Sequence, residues 1–332
     1  MKKGRLIEIV RKFAGRRILV VGDLMADQYV YCRPSRLSRE APVMICSFEG
    51  QKLIPGGAGV TIANLAALDA KVHAVGVVGD DAPGRELLRA FAGMKGCDAG
   101  GVLKLRGLHT TTKTRIMAGD RHTIKQQVIR LDHASEDPLN ARHEKRLLAL
   151  LDRAAKEAQA MVVSDYGYNV LCESVISRVV DLARKIPVIV DSRFNLGKFK
   201  GVTALTPNEA EAEACLGRPL SRDGSRSGDG KELLDRMNLQ ALLITRGNQG
   251  MALFQRSSRW HSLGIVGTED IVDVTGAGDA VASAFALAIA AGASYLEAAH
   301  IANHCAGIVV MKPGAATASR KELVESLETR CG

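Results

Sequence analysis

Short β-branched runs alternate with helix-patterned segments along nearly the whole chain, and this alternation constrains the fold more than any other feature. RILVVGD (17–23), the helical GAGVTIANLAALDA (57–70) and KVHAVGVVGD (71–80) follow one another directly. Further strands are predicted at AMVVSD (160–165), PVIVD (187–191), TALTP (203–207) and ALLITR (241–246), with helices at 141–158, 172–184 and 208–216. Parallel strands need a crossover connection, usually a helix, so a repeated β-then-α order predicts a parallel sheet with helices on both faces. Hydrophobic residues make up 46% and aromatics only 4%, which suits Ala/Val/Leu packing on such a sheet and lacks the stacking platforms of single-strand nucleic-acid binders.

Two segments break the rhythm, 27–54 and 108–133, each mixing Thr, Val, Ile or Tyr with polar residues in alternation. They are expected to form antiparallel strands of a small sheet outside the main one. SRDGSRSGDG (221–230) has the composition of a surface loop.

The net charge of +9 is scattered among Asp and Glu without a long basic block, so it suits an anionic small substrate, and no nucleic-acid module is visible. The seven cysteines (Cys32, Cys46, Cys97, Cys172, Cys215, Cys305 and Cys331) are odd in number and form no Cys-x-x-Cys pair, which favours reduced thiols and a cytoplasmic setting. The basic start runs into strand-like ILVVGD rather than an apolar leader, and no stretch of about 18 apolar residues predicts a membrane span.

The chemistry concentrates in IVDVTGAGDAVASAFALAIAAG (271–292), read as a short strand running into Gly276-Ala277-Gly278-Asp279 and then a long apolar helix. Backbone N–H groups at such a helix start can hold developing phosphoryl charge, and a carboxylate in the first turn can take a hydroxyl proton. Turn chemistry and helix capping explain the same residue types without catalysis. Upstream, Thr206-Pro207-Asn208-Glu209-Ala210-Glu211 follows a strand and opens a helix. Its oxygen donors suit a hard cation, while Asn208 and Glu211 also fit a capping box. Pro55-Gly56-Gly57 leads into a helix carrying Asn64, and Asp23 leaves the first strand. Glycines there let backbone approach hydroxyls, and strand ends are where open α/β sheets place ligands. No Gly-x-x-x-x-Gly-Lys-[Ser/Thr] and no strand-linked Gly-x-Gly-x-x-Gly is present, against a P-loop or dinucleotide enzyme.

Asp273-Val-Thr-Gly-Ala-Gly-Asp279 resembles the C-terminal signature of the ribokinase-like (PfkB) carbohydrate kinases, and the other motifs resemble that family over nearly the whole chain. The resemblance implies a three-layer α/β/α sandwich with a small β-sheet lid, spanning 1–332 as one kinase domain. It implies Asp279 as base, with the Gly276, Ala277 and Gly278 amides as anion hole. Asn208, Glu209, Ala210 and Glu211 would order Mg²⁺ near the ATP phosphates. Thr245, Arg246, Gly247, Gly250 and Asn303 would frame the nucleotide, and Asp23, Asp27, Gly56, Gly57 and Asn64 the sugar. A monovalent cation near 273–279 and a homodimer paired through the lid are also implied.

Within the family, Ser38-Arg-Glu-Ala-Pro-Val43, Thr112-Lys-Thr-Arg115, Gln126-Gln-Val-Ile-Arg-Leu-Asp132 and Ser164-Asp-Tyr-Gly167 resemble the kinases of heptose 7-phosphate on the ADP-heptose route. That implies a phosphosugar acceptor, with Lys113, Arg115 and Arg130 supplying cationic contacts. Bifunctional relatives carry an adenylyltransferase domain after the kinase; none is expected here, because the kinase resemblance runs nearly to Gly332. The sequence departs from those relatives at Val60, Asp69, Tyr168, Asn169 and Ser192-Arg193. Two alternatives stay open, a kinase for another sugar and a noncatalytic sugar or nucleotide sensor.

Overall fold

The computed structural model describes residues 3–120, 125–135, 138–168, 170–221, 226–256, 258–267 and 271–330. In chain order the elements are α1 (Lys3–Arg11), β1 (Arg17–Gly22), β2 (Leu24–Leu37), β3 (Met44–Gly57), α2 (Ala58–Ala67), β4 (Lys71–Gly79), α3 (Ala82–Gly93) and β5 (Cys97–Leu105). Next come β6 (Thr112–Ala118), β7 (Gln126–His133), α4 (Ala141–Ala155), β8 (Ala160–Asp165), α5 (Glu173–Leu182), β9 (Val188–Ser192), β10 (Ala204–Leu205) and α6 (Glu209–Leu216). The chain closes with α7 (Arg226–Arg236), β11 (Ala241–Thr245), β12 (Met251–Gln255), β13 (Ser258–Leu263), α8 (Ala277–Ala290), α9 (Tyr295–Val309) and α10 (Arg320–Arg330).

Among the described residues the main sheet has the order β13-β12-β11-β10-β9-β8-β1-β4-β5. It is parallel from β11 to β5, with β12 and β13 added antiparallel at one edge. Alternation along each strand splits the core between the two faces. Ile18, Val20 and Val162 pack with α1, α2, α3, α8, α9 and α10, whereas Leu19, Val21 and Val163 pack with α4 to α7. Fully burying one such side chain contributes about 1.5–3 kcal/mol. Helix α8 is buried from Ala280 to Ala288, and its many alanines let α2, α9 and the sheet approach it closely. Its first turn is thereby held rigidly at the sheet.

The small sheet has the order β3-β2-β6-β7. It is mixed, because β2 and β6 run parallel while β2–β3 and β6–β7 are antiparallel. The purely antiparallel expectation fails there because the chain returns through α2, β4, α3 and β5 before entering β6 from the same end. Two local expectations also change. Helix α7 begins at Arg226, inside the segment read as a loop, and residues 222–225 lie outside the described residues, as does Asn169. Residues 271–275 form no strand; they lead into α8 as a turn, with Ile271, Val272 and Val274 exposed.

Candidate active site

Strand order reverses beside β1, since the chain passes from β1 to β4 on one side and from β8 to β9 on the other. Ligands of open α/β sheets bind at such a point, outside the carboxyl ends of the strands. Asp23, Ser164, Asp165, Tyr166, Asp191 and Thr245 all stand at those ends.

Asp279 lies in the first turn of α8 and is 4% exposed. Gly276 precedes that turn at φ 79°, a left-handed conformation that favours glycine. One Asp279 carboxylate oxygen accepts from Thr61 Oγ1 at 2.8 Å and, at longer range, from Ser164 Oγ at 3.5 Å. The other accepts from the Tyr166 hydroxyl at 2.9 Å. Burial raises the Asp279 pKa to about 6, against the lowering effect of these donors and of Arg193. The carboxylate is therefore ionised at neutral pH yet basic enough to take a proton. Burial and the nearby Asp279 push the Tyr166 hydroxyl well above its usual range, so it remains a donor. The Ala277 N–H closes a turn on the Val274 carbonyl at 3.2 Å, whereas helix geometry gives the Gly278 and Asp279 amides no acceptor within α8. Gly278 is exposed at this positive helix end.

Asp191 on β9 reaches the same place, its Oδ2 3.5 Å from where a Cβ on Gly278 would stand. Desolvation and then the charges of Asp279 and Glu211 hold the Asp191 carboxyl well above the usual range. Glu211 is raised as well, by burial first. Asn208 Oδ1 accepts from the Glu211 amide and Glu211 Oε2 from the Asn208 amide, both at 2.9 Å. The capping box is thus formed, and each oxygen keeps a further lone pair. Glu209 and Ala210 are the first residues of α6 behind it. Among the described residues no three His, Cys, Asp or Glu side chains are grouped as a metal cage.

Beyond the α8 turn lies a cavity of ≈ 170 Å³, with Thr245, Gly247, Gly250, Val274, Gly278, Asn303 and Gly307 among the residues of its wall. Asn303 donates to the Gly264 carbonyl at 2.6 Å, which fixes one wall. Arg246 folds back onto the Gln249 and Met251 carbonyls and Ser262 Oγ, so its guanidinium braces the β11–β12 connection.

On the lid side, Asp27 is 7% exposed and pairs with Arg115 at 2.5 Å. A Cβ on Gly56 would overlap the Asp27 carboxylate, so only glycine lets β3 pass so close. Gly57, at the end of β3, is buried before α2 begins. Lys113 Nζ stands 5.7 Å from the Tyr166 ring centre and 5.5 Å from that of Tyr168. Three residues expected at the sugar are turned elsewhere. Asp23 accepts from the Tyr166, Tyr168 and Val170 amides and so anchors that loop. Asn64 is fully buried within α2, with Nδ2 on the Val60 carbonyl. Arg130 lies on the exposed outer strand β7, paired with Asp132.

Thr61, Tyr166, Asp191 and Arg193 belong to this site and were missing from the sequence-derived set. The placement of Tyr166 and Asp191 at or just past the carboxyl ends of β8 and β9 is a signal that could have found them. Thr61 inside a helix carries no such signal.

Three comparisons bear on this geometry. The model of the "pfkB family carbohydrate kinase" matches residues 16–322. A "Bifunctional protein HldE" of Geobacter metallireducens is 39% identical over 316 residues, covering 93% of this chain and 62% of that protein. Its namesake in Geobacter sulfurreducens is 39% identical over 312 residues, with the same coverages of 93% and 62%. The chain therefore spans less than two thirds of those relatives. Among solved structures, Arabidopsis thaliana ribokinase complexed with ribose and ATP superposes with a TM-score of 0.72 at 21% identity, covering 95% of this chain and 99% of that one. Phosphofructokinase-2 from Escherichia coli in complex with potassium gives 0.73 at 17% identity, covering 95% and 98%.

Proposed function

The chain belongs to the pfkB family of carbohydrate kinases, and from that premise we propose that it transfers the γ-phosphoryl of ATP to the anomeric hydroxyl of D-glycero-D-manno-heptose 7-phosphate. The fold is ribokinase-like and the enzyme a phosphotransferase with a hydroxyl acceptor. The observation that carries the reading is Asp279, buried at the start of α8, held by Thr61 and Tyr166, with its pKa raised to about 6. The heptose acceptor rests on the relatives named HldE and on the matching stretches of the lid.

In this reaction Asp279 accepts the acceptor's proton as its oxygen attacks phosphorus, and the amides at the α8 start receive the charge on the phosphoryl oxygens. The cavity walled by Thr245, Gly250 and Asn303 takes the nucleotide. Asp27 with Arg115 contacts the sugar, and Lys113 faces its anionic group. Asp191, Glu211 and Asn208 offer hard oxygen donors; burial raises both carboxyls, and the charges of Asp279 and Glu211 raise Asp191 further. This set fits Mg²⁺ held partly through water, which would supply charge neutralisation for the ATP phosphates. Asp273 accepts from the Thr275 and Gly314 amides and so fixes the loop where a monovalent cation would sit.

The lid exposes Leu37, Val43, Met44, Phe48, Val128, Ile129 and Leu131, an apolar face that a second copy of the chain would cover. Phe48→Asp should then give a monomer by sedimentation, and an unchanged dimer would remove this pairing. Val43 serves equally, whereas Val30 is half-buried within the sheet. The described cysteines are free thiols, Cys32 to Cys305, as suits a reducing cytoplasm. No helix among the described residues is long and apolar enough to cross a membrane.

The deciding assay is ADP release with Mg²⁺-ATP across heptose 7-phosphate, fructose 6-phosphate, ribose and adenosine, for wild type and Asp279→Ala. Turnover of heptose 7-phosphate that disappears in the variant supports the proposal. Preference for another sugar refutes the acceptor.

A further inference from the structure

Resting on the phosphotransfer reading, we propose that Arg193 is a clamp on the phosphoryl group in transit, closing from the β9 side of the gap that Gly278 borders. Its guanidinium lies 5.3 Å from the ring centre of Tyr166, the residue whose hydroxyl donates to Asp279. Stacking uses the face of a guanidinium and leaves its N–H donors at the edge for other partners. The residue follows Asp191 by two positions at the end of β9 and is exposed.

Its charge is uncommitted. Arg115 is paired with Asp27 and Arg130 with Asp132, whereas among the described residues Arg193 forms no ion pair. It nevertheless lies within electrostatic reach of Asp279, Asp191 and Glu211. Lys113 also stands over Tyr166, but the acids within its reach are Asp27 and Asp132. The two cations lie within electrostatic reach of each other around Tyr166 but face different acids, Lys113 those of the lid and Arg193 the base and the Asp191–Glu211 carboxylates. A planar fork of donors there matches two oxygens of a phosphoryl group.

In the step served, the bond from the acceptor oxygen to the γ-phosphorus forms and the bond from that phosphorus to the β–γ bridging oxygen breaks. The bond pair leaves with ADP, and the acceptor proton goes to Asp279. Negative charge spreads over the equatorial oxygens meanwhile, and Arg193 meets it together with the α8 amides.

Arg193→Gln and Arg193→Lys test this by two readouts. With ADP, Mg²⁺ and aluminium fluoride, which imitates the phosphoryl in transit, calorimetry on the wild type should show tighter ADP binding than without fluoride. Arg193→Gln should lose at least about tenfold of that gain while binding ADP alone as before, and Arg193→Lys should keep part of it. In turnover, kcat of Arg193→Gln should fall about 10² to 10³-fold. A fluoride gain that survives in Arg193→Gln overturns the proposal. So does an unchanged kcat with a raised KM for the phosphosugar, which would assign Arg193 to the acceptor's own phosphate. A wild type silent on heptose 7-phosphate, with the fluoride gain present and lost in Arg193→Gln, upholds the clamp and removes only the acceptor assignment. No ADP binding by the wild type would sink the phosphotransfer reading, and the clamp with it.

Discussion

Replacing Asp279 by Asn should cut turnover sharply and stabilise the protein in the same stroke. Burial lifts the carboxyl from 3.8 to about 6 in the folded chain, so the ionised form is disfavoured there by about two pH units. At about 1.4 kcal/mol per unit, the charged carboxylate costs the native state about 3 kcal/mol at pH 8. The sign follows from linkage. The folded value lies above the unfolded one, so the stabilising contribution of this group is complete below about pH 4 and lost as the pH rises through about 6. An amide has the same shape and no charge, and its oxygen can still accept from Thr61. Asp279→Asn should therefore gain about 2–3 kcal/mol over wild type at pH 8, or about 3–4 °C in melting temperature, and close to nothing at pH 4. Urea unfolding at both pH values measures the difference, and coupled ADP release should show kcat reduced about 10² to 10⁴-fold. A variant less stable than wild type at pH 8 would refute the reasoning, because the bonds from Thr61 and Tyr166 would then outweigh desolvation. An equal gain at both pH values would refute it too, since the effect would owe nothing to charge.

Three further outcomes follow from the same geometry. Wild-type kcat/KM should fall below about pH 6 as Asp279 takes up its proton, and Thr61→Val, which removes a donor to the ionised form, should move that limb to higher pH; a limb that stays in place would deny Thr61 its role. Gly56→Ala pushes a Cβ into the Asp27 carboxylate and should lower kcat/KM for the sugar about tenfold to a hundredfold with KM for ATP unchanged, as steady-state kinetics would show. Asn208→Ala removes the α6 cap and should cost about 0.5–2 kcal/mol in urea unfolding; a Mg²⁺ requirement that does not change would separate capping from cation binding.

The layered fold was legible because it depends on periodicities that the chain writes locally. The strands over 17–23 and 160–165 and the helix that became α2 appear nearly where hydrophobic alternation places them. Glycine and carboxylate at a helix start are equally local, so the 273–279 turn and the Asn208–Glu211 pair are legible in the sequence. Where the reading failed, one long-range and one local factor decided. The return path of the chain made β2 and β6 parallel, and helix formation overrode a loop-like composition at α7.

The sequence by itself determined the alternation of strands and helices and the parallel run of the main sheet, since each follows from patterns within about twenty residues. Only the tertiary structure decided which polar groups converge on Asp279. Thr61 is 218 residues from it in sequence, Tyr166 113 and Ser164 115, and no local propensity encodes such distances. It also decided which expected residues turn away. Asp23 is held by three loop amides, because a buried polar group bonds to whatever donors the packing brings within reach, while Asn64 is buried in its own helix with Nδ2 on the Val60 carbonyl. The same convergence set Arg193 over Tyr166, a contact that nothing within β9 foretells.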